Sequence, residues 1–461
     1  MTSTFSGIST ALSSLYAQRR GLDVTGQNIA NANTEGYSRQ RVNLQAVGAN
    51  SVPAVYSRSD GPGSGVSVSS QQRLRDNFME SRAQSEHARS AYLDSTQAVY
   101  ARIEDVFAEP SDTAIASQLS DFWAAWGDVA NDAGDEAARI QLMERGESLT
   151  DGLRAAHDAL SSQWDSVRVQ AGAYERDIND AATAIAKFNE TIKQASAAGI
   201  PANELADQRD AEVLKLAKLT GATSITKDDG TVDVFLGGSV LVSGAVSRAV
   251  VVSGSADLAG QSANEVKLKW VEPDVEIAAG GQLGAALDTL NDILPEYATK
   301  LDTVAATLAT TVNQIHTAGY GLDGVNNRPF FSGTTATTLQ LAISLPAEVA
   351  ASKVAGGNLG STNADALGAL ATSGSGADSL YRQMVVGLGV AAQSADRSAE
   401  IQASVVASVD AARVAESGVN LDEEMTNLIT YQRAYEAASR VMTTIDGMLD
   451  TLINRTGLVG R

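Results

Sequence analysis

The chain contains no cysteine, which removes disulfides, thiolate metal sites and cysteine nucleophiles together. Its three histidines, His87, His157 and His316, stand too far apart to form a ligand-spaced motif such as HExxH. Most metalloenzyme and catalytic-triad readings therefore have little to stand on. Only 8 prolines occur in 461 residues, so few helix breakers interrupt the chain and long continuous helices are expected. No stretch reaches the roughly 18 consecutive apolar residues of a membrane span, and no membrane insertion is expected. The first positive charge is Arg19, and no basic start followed by a compact apolar run precedes it, so no cleaved signal peptide is expected. Lysine and arginine number 34 against 55 aspartate and glutamate, a formal charge of −21. Such acidity argues against nucleic acid as a partner.

A hydrophobic content of 44% is enough for packed cores, and most of it is arranged with helical period. Ile8, Leu15, Leu22 and Ile29 recur every seven residues, with Phe5 and Leu12 in the companion row, as in a helix packing seam. Gly21 and Gly26 weaken this segment as a free helix. The cluster NIANANTEGYSRQ, Asn28 to Gln40, reads as a turn, and Val47 to Ser70 as a loop feeding a short strand. Helical spacing runs from about Gln71 to Lys218, punctuated by Pro110 and Gly134. Its second block, carrying Leu153, Leu160, Trp164 and Val167, continues as a rod to about Ala198, where Pro201 stops it. A shorter helix is expected over Asn203 to Leu219. Valine-rich alternation then takes over, with a hairpin signal at Asp229-Gly230 and a further strand at Val266 to Glu272. Helical period returns from Gly280 to Ile315. Turns follow at Gly319 to Gly333, a strand over TTLQLAISL, and a loop at Gly356 to Asn363. The last helical stretch starts near Asp378 and breaks near Ser417-Gly418.

The final segment has Leu421, Leu428, Tyr435, Met442 and Leu449 at seven-residue spacing, interleaved with Tyr431, Ala438, Ile445 and Leu452. This is a coiled-coil seam, and the N-terminal seam is its natural partner. Two arrangements satisfy it: a hairpin within one chain, or packing among several copies. Residues 1–50 carry four arginines against two acids, and residues 417–461 four arginines against six. The two ends together are neutral, and the middle carries the whole negative charge, which suits ends that crowd against copies of themselves.

The N-terminal stretch ALSSLYAQRRGLDVTGQNIANANTEGYSRQRV resembles the signature of bacterial flagellar axial proteins. Its ANANTEGYSRQ form is similar to hook-associated proteins of the junction type, the FlgK family. The C-terminal SGVNLDEEMTNLITYQRAYEAASRVMTTIDGMLDTLINR is similar to the other end of that family. NELADQRDAEVLKLAKLTGATSI with DGTVDVFLGG, and GGQLGAALDTLNDILPEYATKLDTVAATLATTVNQIHTAGY, look like its middle. Rod and hook proteins share the ends but not this helical middle.

The resemblance implies a non-enzymatic structural part of the flagellum at the hook-filament junction, exported through the flagellar type III system and assembled as a ring. Implied partners are copies of itself, hook protein, a second junction protein or flagellin, and an export chaperone. The expected fold is mainly α with a small inserted β domain, elongated, with paired terminal coiled-coil-like helices and a long helical body. Residues 1–50 and 417–461 would form a terminal assembly domain, 51–220 and 276–416 the body, and 221–275 the β insertion. The assembly interface is expected at Ile8, Leu12, Leu15, Leu22, Asn28, Ile29, Asn31, Asn33, Thr34, Gly36 and Tyr37, and at Leu421, Leu428, Tyr431, Tyr435, Met442, Ile445, Leu449 and Leu452.

No catalytic, cofactor or metal residues are assigned. The GxGxxA match at Gly387 to Ala392 lacks the strand that a dinucleotide site requires and reads as part of one helix. Asp422, Glu423 and Glu424 follow Asn420 as a helix cap followed by dipole-compensating acids. Trp123 and Trp126 read as fillers of a helical core. Two alternatives stay open: another axial component, hook or distal rod, and a secreted acidic hydrolase, for which no convergent polar constellation is visible.

Overall fold

The computed structural model describes residues 4–34, 36–48, 63–355 and 359–455. Helix α1 (Thr4–Ala30) leads into an antiparallel pair, β1 (Gln40–Val47) and β2 (Gly65–Arg73). The segment read as a loop with one strand thus contributes strands on both sides, and the helical run begins only after Arg73. Part of that loop, residues 49–62, lies outside the described residues.

Helix α2 (Asn77–Phe107) starts where the Asp76 carboxylate accepts the amides of Phe78 and Met79, and ends at Ala108 in the left-handed region. Helix α3 is Ile115–Asn131 and α4 is Glu136–Ala197. At 62 residues, α4 is about 93 Å long at 1.5 Å per residue. Its buried row, among them Leu142, Leu149, Leu153, Leu160, Trp164, Val167, Ile178 and Ile185, keeps helical spacing throughout. Gly199 then takes a positive φ ahead of Pro201, and α5 (Asn203–Thr220) turns back.

The chain leaves and re-enters the helical layer through glycines that almost touch. Gly221 closes α5 at φ +73°, the Gly280 amide donates to Thr220 O at 2.8 Å, and a methyl added at Gly281 would lie 2.3 Å from Lys218 O. Between them β3 (Thr223–Thr226), β4 (Val232–Leu236), β5 (Ser239–Ser243) and β6 (Val246–Ser247) form a four-stranded antiparallel sheet, and β7 (Val250–Ser253) pairs with β8 (Lys267–Trp270). Asp229-Gly230 turns β3 into β4, with Gly230 at φ +82°. Two asparagines of α4 fasten the strands: Asn189 donates to Val232 O and Gly244 O and accepts from the Val232 amide, and Asn179 brackets Val250 in the same way.

Helix α6 (Gly281–Asp288) runs through one π-turn into α7 (Leu294–His316). Of the strand expected over TTLQLAISL only a two-residue pair forms, β9 (Phe331–Ser332) with β10 (Gln340–Leu341). The rest of that region is held from below. Trp126 and Phe330 pack edge-on against His316, with Phe122 and Phe331 packed on Phe330, and the His316 ring bridges Arg328 O and the Ala350 amide. The buried Arg139 guanidinium donates to the carbonyls of Ala133, Pro346 and Val349. Trp123 and Trp126 are core residues. Helix α8 is Thr362–Gly368; residues 356–358 of the preceding loop lie outside the described residues. Helix α9 (Ala377–Ser417) lies along α2, tied by His87 Nε2 to Asp410 at 3.0 Å and Gln402 to Glu86. Gly387 to Ala392 sits inside α9, with no strand before it. The last long helix is α10 (Leu421–Asp450). The fold is mainly α with a small β insertion.

Candidate assembly interface

Helices α1 and α10 pack antiparallel, Gly7 against Ile445, Gly21 against Tyr431 and Asn28 against Glu424. On α10 the contact row follows the seam: Glu424 and Ala438 are buried, and Leu428, Tyr431, Met442, Ile445 and Leu449 are half-buried. Tyr435 and Leu452 are exposed.

On α1 the contact row differs from the apolar seam by one position. Ala11, Gly21, Thr25 and Asn28 are buried, in step with Gly7, Ser14 and Gln18. Ile8, Leu15, Leu22 and Ile29 flank this row half-buried, and Leu12 is 41% exposed. Close approach explains the choice. A methyl added at Gly21 would lie 2.7 Å from the Tyr431 ring, and one at Gly7 3.0 Å from Ile445 Cδ1, so glycine makes the hollows into which the larger α10 side chains settle. Ala17 and Val24 are also buried.

The end of the pair nearest the body is closed by polar contacts. The Asn28 amide donates to Gln40 O (2.9 Å) and Glu424 Oε2 (3.0 Å), and its carbonyl oxygen accepts from the Gln40 amide (3.0 Å) and the Tyr37 hydroxyl (2.8 Å). Arg39 grips the other Glu424 oxygen through Nε (2.8 Å) and Nη2 (2.7 Å), and reaches Glu423 through Nη1 (2.7 Å). Glu424 is 2% exposed. It therefore does more than offset the dipole of α10, the role its sequence position suggested; Asn420 caps that helix by accepting from Asp422 N and Glu423 N. Gly36 stands at φ +79° in the turn that delivers Tyr37 and Arg39. Asn31 Nδ2 donates to Gln27 O, the Thr34 hydroxyl donates to Asn31, and Asn33 is exposed.

A second ring of charge joins this clasp to the helical body. The Ser38 amide donates to Asp207 of α5 at 3.1 Å. Arg73 binds Asp207 and Asp210, Arg75 binds Asp210 and Glu80, and Arg413 binds Glu80. Burial alone would raise the Asp210 carboxyl, but Arg75, Arg209 and Arg73 outweigh it and hold it below the ordinary carboxylate value. Burial, with Asp207, Glu204 and Glu424 nearby, pushes the Tyr37 phenol up to about 12, so it stays a hydrogen-bond donor at neutral pH. Asp207 and Asp210 had no distinguishing mark in the sequence, and Glu424 only its place in the first turn of a helix, because Arg73 and Arg39, which bind them, are distant in it.

Both helices keep large apolar side chains in solvent. Leu421, Met425 and Ile429 follow one another at four-residue steps on one flank of α10, Val441 and Met448 lie on the other, and Tyr16 projects from α1. A helix apolar on both flanks of its contact row has more surface to cover than one partner can reach. Among the described residues no group of His, Cys, Asp and Glu could hold a metal ion, and no helix is long and apolar enough to cross a membrane.

A family model described as the flagellar hook-associated protein FlgK helical domain matches residues 100–331. Models for the flagella basal body rod protein and the C-terminal part of the rod FlgEFG proteins match residues 8–37 and 411–455. Flagellar hook-associated protein 1 of Bacillus subtilis (strain 168) is 28% identical over 100% of both chains. The protein of that name from Salmonella typhimurium is 29% identical over 70% of this chain and 59% of its own. Among solved structures, the flagellar hook junction protein FlgK from Burkholderia pseudomallei is 27% identical over 56% of this chain and 46% of that one, with a TM-score of 0.48.

Proposed function

This chain belongs to the FlgK family of flagellar hook-associated proteins, structural parts of the bacterial flagellum rather than enzymes, and we propose that it joins hook to filament as a ring of self-assembled copies. In this reading it is exported unfolded through the flagellar type III system, helped by a chaperone, and seats between hook protein on one side and a second junction protein or flagellin on the other. Its place is extracellular. The observation that carries the proposal is the uncovered apolar surface of the α1–α10 pair, Leu12, Tyr16, Leu421, Met425 and Ile429 among it. Neighbouring copies would supply the cover that one chain lacks.

The same reading assigns residues 1–50 and 417–461 to a terminal assembly domain, 51–220 and 276–416 to the body and 221–275 to an outer insertion. Its support is the character of the contacts: the terminal segments meet the body through hydrogen bonds such as Ser38 to Asp207, Gln40 to Glu204 and Arg20 to Gln71, whereas the β unit and α4 share one hydrophobic core. The expected interface residues, from Ile8 to Tyr37 and from Leu421 to Leu452, are retained, with Asn28 assigned to holding the clasp and Leu12, Leu421 and Leu452 to contact between copies.

The test is localisation and assembly in a strain lacking the gene. The wild-type chain should label a single band between hook and filament on isolated flagella. Ile429→Asp, at a site 50% exposed, should leave the monomer's unfolding transition unchanged and abolish incorporation. Labelling along the whole filament or at the flagellar base, or normal swimming by Ile429→Asp, would refute the reading.

A further inference from the structure

Away from the terminal helices, a cavity of about 730 Å³ opens between α3 and α9, a size suited to a small organic group. Leu119, Trp123, Tyr381 and Val385 form much of its apolar wall; Leu119, Trp123 and Tyr381 are buried. Two carboxylates stand in this wall, Glu109 in the loop after α2 and Asp378 in the first turn of α9.

Each is anchored by hydrogen bonds. The Trp123 indole donates to Asp378 Oδ2 at 2.7 Å. The Tyr381 hydroxyl and the Ala116 amide donate to Glu109 Oε1 at 3.0 and 3.1 Å. No other side chain donates to either group among the described residues, and neither carboxylate has a salt-bridge partner there. Arg382, one turn beyond Asp378, lies exposed on the lining and likewise makes no ion pair. Burial pushes the Asp378 carboxyl up, against the Trp123 bond, a bond from its own backbone amide and the charge of Arg382, as expected of an acid short of compensating positive charge.

We propose that this cavity binds an organic cation with an apolar body, an alkyl or aryl ammonium or guanidinium group of the kind that lysine and arginine side chains carry. The apolar body replaces water along Val385 and Val386, while the cation meets the Glu109 and Asp378 carboxylates. An anion would face two carboxylates and one arginine. A neutral apolar molecule would strip water from the carboxylates and return no charge. The inference is independent of the assembly reading, since no residue of the terminal helices takes part.

The experiment follows the indole N–H signal of Trp123 in the ¹⁵N-labelled full chain, identified by its loss in Trp123→Phe. Benzylammonium should shift it saturably, benzyl alcohol should bind at least about tenfold more weakly, and phenylacetate should not bind. Glu109→Gln and Asp378→Asn should each weaken benzylammonium at least about tenfold, roughly the 1.4 kcal/mol of one lost charge-assisted contact. Ala124→Phe, at an exposed position on the lining, keeps both carboxylates in place and should abolish the shift by filling the cavity. Saturation by Nα-acetyl-arginine amide as well would identify a protein side chain as the source of the cation, and response to benzylammonium alone a free amine; either outcome supports the proposal. Equal binding of benzyl alcohol, affinity unchanged in both carboxylate variants, a shift that persists in Ala124→Phe, or no saturable shift with either cation would overturn it.

Discussion

Replacing Glu424 by glutamine changes one charge at the point where α1, β1 and α10 meet. The carboxylate is 2% exposed and accepts from Asn28 and twice from Arg39. Glutamine keeps the shape and one acceptor oxygen, but removes the negative charge that Arg39 faces and aims an amide at donors. Removing one partner of a fully buried pair costs about 3 to 5 kcal/mol. Here Arg39 keeps Glu423 and is 19% exposed, so the expected loss is smaller, about 1.5 to 3 kcal/mol. The loss should be local, because the main hydrophobic core runs from Val99 to Leu388 without the terminal helices. Amide exchange on the monomer measures it. Protection at Leu428 and Tyr431 should fall about 10- to 150-fold, the equivalent of that range, with Leu241 and Val252 unchanged. Glu423→Gln, at a side chain 59% exposed, should change protection by less than about fivefold. Equal effects of the two variants would refute the assignment of the clasp to Glu424. A matching loss of protection at Leu241 and Val252 would refute the separation of the terminal pair from the core.

Gly21→Val should drive Tyr431 out of its hollow and lower the melting temperature of the terminal helices, whereas Gly26→Ala, with nothing within 4 Å, should stabilise α1 by about 0.5 to 1 kcal/mol; circular dichroism melting curves of the two variants decide. Gly36→Val forces a β-branched residue into φ +79° and should block filament attachment in a motility assay while the body's urea transition stays in place. His316 is buried, and burial lowers its pKa from 6.5 to about 4. A depressed histidine pKa means that the unfolded chain takes up the proton first. Stability is therefore full above about pH 6.5 and falls as pH drops towards 4, by up to about 3 kcal/mol. Urea titrations at pH 7 and 4.5 should show this fall, and His316→Gln should flatten it. A fall of equal size in that variant would remove His316 as the cause.

The parts of the fold that could be read from the sequence were those written in local spacing. The stretch without proline before Pro201 marked the end of α4, Asp229-Gly230 marked the turn into β4, and Asn420 marked the start of α10, each within a residue or two. What could not be read depended on partners far along the chain. Gln40–Val47 pairs with residues 65–73, and a strand on one side gives no notice of its register on the other. The α1 seam is legible as a heptad, but the row that meets α10 within the chain lies one position away from it, because periodicity counts hydrophobic residues and is blind to hollows. Gly21, read as a weakness of the helix, proved to be the place where the Tyr431 ring rests. The region around His316 and Arg139 is held by a histidine and a guanidinium bonded to backbone carbonyls, and residue type alone does not announce such supports.

The antiparallel register of α1 and α10 also decides how the pair responds to force. The buried clasp of Asn28, Arg39 and Glu424 lies at one end of the pair, while near the other end Gly7 packs against Ile445. The first turn of α1 and the last turn of α10 sit side by side at that looser end. A pull that separates them peels the helices one turn at a time, as a zipper opens, instead of shearing every contact at once. Resistance rises where the Asn28–Arg39–Glu424 clasp is reached. The pair is thus weak when drawn apart from its free end and firm where it meets the body, a mechanical polarity that follows from where one carboxylate is buried.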